Sequence, residues 1–96
     1  MTREIISSYI EDHYPDYEIL LADGFEDAFI GIVESHGSYP KALYDEDKCL
    51  DILVNDGATY EEAVEHFQFN VAGAYVGEAT PAFVVAIDHK AYTSEE

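Results

Sequence analysis

The run Thr59-Tyr60-Glu61-Glu62-Ala63-Val64-Glu65-His66-Phe67 carries the clearest local instruction in this chain. Thr59 stands where a hydroxyl can accept from the backbone amide three residues on. Glu62 stands where a carboxylate can reach back to the amide of Thr59. This reciprocal pair is a capping box, and it starts a helix. Behind it Tyr60, Ala63, Val64, Phe67, Val71, Ala74 and Tyr75 recur at helical spacing, which predicts an apolar stripe carrying the helix past residue 70. Asn70 and Gly73 weaken its second half. Upstream, Asn55-Asp56-Gly57 ends a preceding helix, with Gly57 in a left-handed conformation. That helix begins at a cap on Asp45, sets Glu46 and Asp47 against its dipole, and buries Cys49, Leu50, Leu53 and Val54.

Toward the N-terminus, Thr2 caps a first helix with Ile5, Ile6, Tyr9 and Ile10 on one face. Pro15 stops it near His13-Tyr14, because the residue before a proline avoids helical geometry. Four apolar runs read as strands: Glu18–Ala22, Ala28–Val33, Lys41–Tyr44 and Ala82–Ile87. Asp23-Gly24, the 36–40 loop and the 77–81 stretch separate them. Residues 89–96 read as a frayed acidic tail. The order of elements predicts one α+β domain over residues 1–96, with a small, mainly antiparallel sheet of about four strands covered by two or three helices.

The surface of this domain is acidic. Four basic residues (Arg3, Lys41, Lys48 and Lys90) face 21 acidic ones, for a formal charge of −17. Residues 1–40 hold nine acids and one base, and residues 41–96 twelve acids and three bases, so the charge belongs to the whole fold and not to a tail. Such a chain cannot bind nucleic acid by neutralising phosphates, and it is repelled by anionic membrane surfaces. One cysteine, Cys49, excludes an internal disulfide. No signal peptide and no membrane span are read from the sequence, which sets the expectation of an intracellular protein.

Chemistry-bearing motifs are incomplete. Glu62 and His66 lie four apart on one helical face, a spacing that can share a cation. A second histidine at 62, or a histidine at 65, would be needed for a known metal motif. The expected arrangement is a solvated Glu62–His66 pair. With Gly24 or Gly57 at the glycine of a calcium loop, two ligand positions fall on Ile19 and Leu21, or on Ile52 and Val54, which cannot ligate. Gly73-x-x-x-Gly77 lacks the lysine of a phosphate loop. His13, His36 and His89 are scattered, and no nucleophile elbow surrounds Ser38. Cys49 falls on an apolar face and reads as an inert core thiol. The sequence therefore predicts no catalytic residue, no metal and no cofactor.

The string from His66 to Phe83, His-Phe-Gln-Phe-Asn-Val-Ala-Gly-Ala-Tyr-Val-Gly-Glu-Ala-Thr-Pro-Ala-Phe, resembles a family of small bacteriophage and prophage proteins. Asp23-Gly24-Phe25-Glu26 and Tyr44-Asp45-x-Asp47-Lys48-Cys49-Leu50 extend the resemblance over most of residues 20–85. It implies a viral origin, an accessory role and action in the cytoplasm of an infected host cell. It supplies no catalytic residue. Asn70, Gly73, Gly77, Glu78, Thr80 and Pro81 are read as a structural turn from helix to strand, or alternatively as a binding face. The leading functional expectation is a non-enzymatic inhibitor of the anti-CRISPR or anti-restriction kind. Its acids, Asp47, Asp51, Glu61, Glu62 and Glu65, would meet a basic, nucleic-acid-binding host protein as duplex DNA does. The alternative is a phage structural or accessory protein whose acidity serves solubility or a salty environment, with contacts made by tyrosines such as Tyr39, Tyr44 and Tyr75. A small enzyme or ligand-binding protein ranks third.

Overall fold

The computed structural model describes residues 1–87; the tail expected at 89–96 lies outside them. Helix α1, Arg3–His13, starts at Thr2, whose hydroxyl accepts from the amide of Ile5 at 3.3 Å, and buries Ile6 and Ile10. Ile5 and Tyr9, expected on the same buried face, remain exposed. A 3-10 turn, Glu26–Ala28, leads into strand β1, Phe29–Val33. Strand β2, Lys41–Asp45, runs straight into helix α2, Glu46–Asn55, capped by the Asp45 carboxylate. Gly57 turns the chain at φ +118°, a conformation that side chains with a Cβ rarely adopt. Helix α3, Tyr60–His66, then opens on the expected capping box: Thr59 accepts from Glu62 at 3.1 Å, and Glu62 accepts from Thr59 at 2.9 Å.

The apolar stripe does carry the helix beyond residue 70, but not as an α-helix. Phe67–Ala72 widens into a π-helical segment. Its end needs a glycine, since a Cβ on Gly73 would stand 2.6 Å from the carbonyl oxygen of Gln68, five residues back. The widening ends the stripe. Phe67 is buried and Val71 half-buried, whereas Ala74 and Tyr75 are exposed. Strand β3 is Ala82–Val84, shorter than the expected Ala82–Ile87.

The fold is α+β; among the described residues it has three α-helices and a sheet of three strands in the order β1-β2-β3. Two expectations are corrected. Glu18–Ala22 is not a strand, so the sheet of the described residues has three strands and not four. The sheet is mixed: β1 pairs antiparallel with β2, and β3 pairs parallel with it. The parallel pairing follows from the crossover, since α2, α3 and the π-helical segment return the chain to the start of β2. The strand-like run at 18–22 finds both edges of β2 already taken.

Register aligns three aromatic rings across the sheet. Phe29 faces Tyr44, and Tyr44 faces Phe83. Their centroids lie 5.6 and 5.7 Å apart, and Phe67 closes the row edge-on to Phe83 at 5.0 Å. Such offset and edge-on contacts suit the ring quadrupoles. Around the row, Ala28, Ala42, Cys49 and Ala63 are fully buried. These small side chains let α2 approach β2 and α3 closely. Helix α2 buries Cys49 and Leu50 and half-buries Leu53, while Val54, expected in the core, is exposed.

Candidate functional site

The five acids singled out by spacing sit on two packed helices. Asp47 and Asp51 lie one turn apart on α2, and Glu61, Glu62 and Glu65 lie on the first turns of α3. Helices α2 and α3 pack against each other, and all five residues are exposed. Among the described residues, ion pairs join Met1 to Asp27 and Arg3 to Asp23 and Glu26, and none involves these five. Lys48 stands beside Asp47 on α2 but forms no ion pair with any of the five among the described residues. Glu62 differs from the other four, because its carboxylate is engaged by the amide of Thr59.

The expected Glu62–His66 pair is not formed. His66 turns instead to Asn70, whose amide nitrogen lies 3.3 Å from Nδ1. The four-residue rule offers His66 a partner in either direction, Glu62 behind or Asn70 ahead. The capping box removes the first.

His66 and Asn70 line a groove of about 440 Å³ between residues 20–25, the π-helical segment and Pro81. Leu20, Leu21, Phe25, Val71 and Phe83 provide its apolar walls. Among the described residues lining it there is no hydroxyl, thiol or amine side chain. What the groove offers is an apolar slot with three polar side chains, the Asp23 carboxylate, the His66 imidazole and the Asn70 amide, suited to binding. Cys49 lies elsewhere, fully buried, and burial together with Asp45 and Glu46 pushes its thiol up to about 12. A thiol so raised is a poor nucleophile. No group of three or more His, Cys, Asp or Glu side chains converges among the described residues. Likewise, no helix among them is long and apolar enough to cross a membrane.

The string from His66 to Phe83 divides by role. Gly73 is required by the close carbonyl. Gly77 holds φ +117°. Thr80 closes the loop by donating to the Gly77 carbonyl at 2.6 Å and accepting from the Val76 amide at 2.8 Å. These are turn-forming positions. Asn70 and Pro81 differ, since both line the groove. Of the tyrosines considered for contacts, Tyr44 is buried and Tyr39 half-buried, whereas Tyr75 is 76% exposed. Compared with protein-family models, with curated proteins and with solved structures, the chain shows no significant match.

Proposed function

We propose that this chain is a non-enzymatic acidic binding protein that occupies a basic, nucleic-acid-handling surface of a host protein, acting as a phage inhibitor of host defence. The observation that carries the reading is the α2–α3 face. Its acids are exposed, stand about one helical turn, or ~6 Å, apart along each axis, and lack a basic partner among the described residues. Duplex DNA presents one charge per ~1.7 Å of axis to the same kind of surface. A rigid acidic face competes for such a surface through complementary potential, which governs encounter and selectivity. The phage resemblance supports the setting, a protein acting in the infected cytoplasm on a host target.

The test is capture of the partner from a host lysate, followed by competition with duplex DNA. Reversing Asp47, Asp51, Glu61 and Glu65 to Lys abolishes binding, and duplex DNA displaces the partner. Glu62 is left in place because it caps α3. Reversing Glu4, Asp12, Glu95 and Glu96 changes net charge equally and does much less. Binding by the α2–α3 face weakens steeply with salt, because exposed charges are screened beyond ~8 Å at physiological ionic strength. Equal losses from the two variants would overturn the reading.

A second reading rests on a different observation. Phe69 on the π-helical segment, and Tyr75 and Val76 just after it, are each exposed, side chains suited to a contact of an accessory or structural protein. Salt-insensitive binding that depends on Phe69 and Tyr75 would favour it.

A further inference from the structure

The segment Glu18–Ala22 is pinned at its two ends. The amide of Glu18 donates to the Tyr39 hydroxyl at 2.7 Å, and that of Ala22 to the Tyr44 hydroxyl at 2.8 Å. Between them, the amides and carbonyls of Ile19, Leu20 and Leu21 have no hydrogen-bond partner among the described residues. Successive unpaired backbone groups bearing apolar side chains are a template for another strand. The two tyrosine bonds lie four residues apart, on one parity of a pleated path. On that path the amides of Ile19 and Leu21 belong to the opposite parity, away from the tyrosines.

The surroundings of this segment are also asymmetric. It forms the wall between the 440 Å³ groove and a second one of about 370 Å³, and Leu20 and Leu21 line both. Glu11 and Glu18 line the second groove, and Asp16 precedes the segment. Among the described residues none of these three acids has an ion-pair partner. Arg3, the basic residue at this groove, is held by Asp23 and Glu26.

We propose that Ile19–Leu21 is a docking edge for an extended segment of a partner protein in which basic residues alternate with apolar ones. The segment adds as a strand. Main-chain bonds to Ile19 and Leu21 hold it, its apolar side chains enter the 440 Å³ groove on one side, and its Lys or Arg side chains meet Glu11, Asp16 and Glu18 on the other. Alternation is required because successive residues of a strand face opposite sides. A second copy of this chain is a poor occupant, since each copy carries −17. The proposal uses none of the acids of α2 and α3 and does not depend on that reading.

The probe is a fluorescein-labelled decapeptide of alternating lysine and valine, titrated into the full chain and read by anisotropy and by amide hydrogen exchange. Exchange at Ile19 and Leu21 slows by at least ~10-fold on binding. N-methylating two consecutive central amides of the peptide blocks both of its edges and weakens binding by ~10-fold or more. Reversing Asp47, Asp51, Glu61 and Glu65 leaves the protection at Ile19 and Leu21 in place, so failure of the α2–α3 reading is distinguishable from failure of this one. Equal affinity for the methylated peptide, or protection gained on α3 instead, would overturn the proposal. So would slow exchange at these amides in the protein alone. If concentration-dependent, it assigns the edge to a second copy; if relieved by deleting residues 88–96, it assigns the edge to the chain's own C-terminus.

Discussion

Residues 82–84 lie as β3 along β2, with Phe83 between Tyr44 and Phe67. Residues 18–22 touch the same strand through the hydroxyl of Tyr44 but join no sheet. Both runs are short and apolar. What separates them is access. The crossover through α2 and α3 delivers residues 82–84 to a free edge of β2, and β1 holds the other. Residues 18–22 reach β2 with both edges occupied, so a tyrosine hydroxyl takes the place of a backbone ladder. A strand is a pairing and not a property of one segment, which is why β propensity depends so strongly on context.

This contrast can be broken by experiment. The largest effect belongs to the paired run. Phe67→Ala removes the ring that closes the aromatic row against Phe83, and at a fully buried site it costs about 3–5 kcal/mol in urea unfolding. A loss below about 1 kcal/mol would show that β3 is seated without it. For the pinned run, Tyr44→Phe keeps the ring and removes the acceptor for the part-buried Ala22 amide. The expected loss is about 1–3 kcal/mol, because an orphaned donor costs more than an average hydrogen bond. Hydrogen exchange at Ala22 should rise with it.

The core beneath the paired run also sets a pH limit. Cys49 has an ordinary value of 9.0 and is raised to about 12 by burial, with Asp45 and Glu46 adding. Burial raises the Tyr44 phenol too. The folded state thus holds these protons when the unfolded chain has begun to release them, so stability is full below about pH 9 and falls as pH rises toward 12. Between about pH 8 and about pH 10 the loss is ~1–2 kcal/mol, measured by urea midpoints, and Cys49→Ala flattens the curve. A smaller effect tests α3, which leads into β3. Thr59→Ala costs about 1 kcal/mol, and melting by circular dichroism reads it. The smallest sharpens the other side. Leu20 is 40% exposed, so Leu20→Ala costs under about 1 kcal/mol, far less than a core leucine. A core-sized loss would mean that the pinned run is part of the core.

Local instructions were legible wherever the chain satisfies its own backbone. The caps at Thr2, Asp45 and Thr59 and the Gly57 turn act within a few residues of sequence, and so they can be read there. The exposed acids of α2 and α3 were legible for the same reason, since helical spacing alone places Asp47 beside Asp51 and Glu61 beside Glu65. Glu62 shows the limit: the spacing offered it both the cap at Thr59 and a pair with His66, and only the cap is formed.

Longer-range features were decided only by the tertiary structure. Nothing near Asn70 announces that the helix widens into a π-helical segment, turning Tyr75 outward and His66 toward Asn70 at the groove. Nothing in Glu18–Ala22 tells that Tyr39 and Tyr44, more than twenty residues on, will take its amides. The sequence alone determines the helices, their caps, the acidic surface and the α+β class, because these rest on interactions spanning about one helical turn or on composition. Which apolar run becomes a strand, in which direction it pairs, and where the grooves open were settled by competition for the two edges of β2. That competition involves residues far apart in the chain, whose contacts exist only once the whole core has formed.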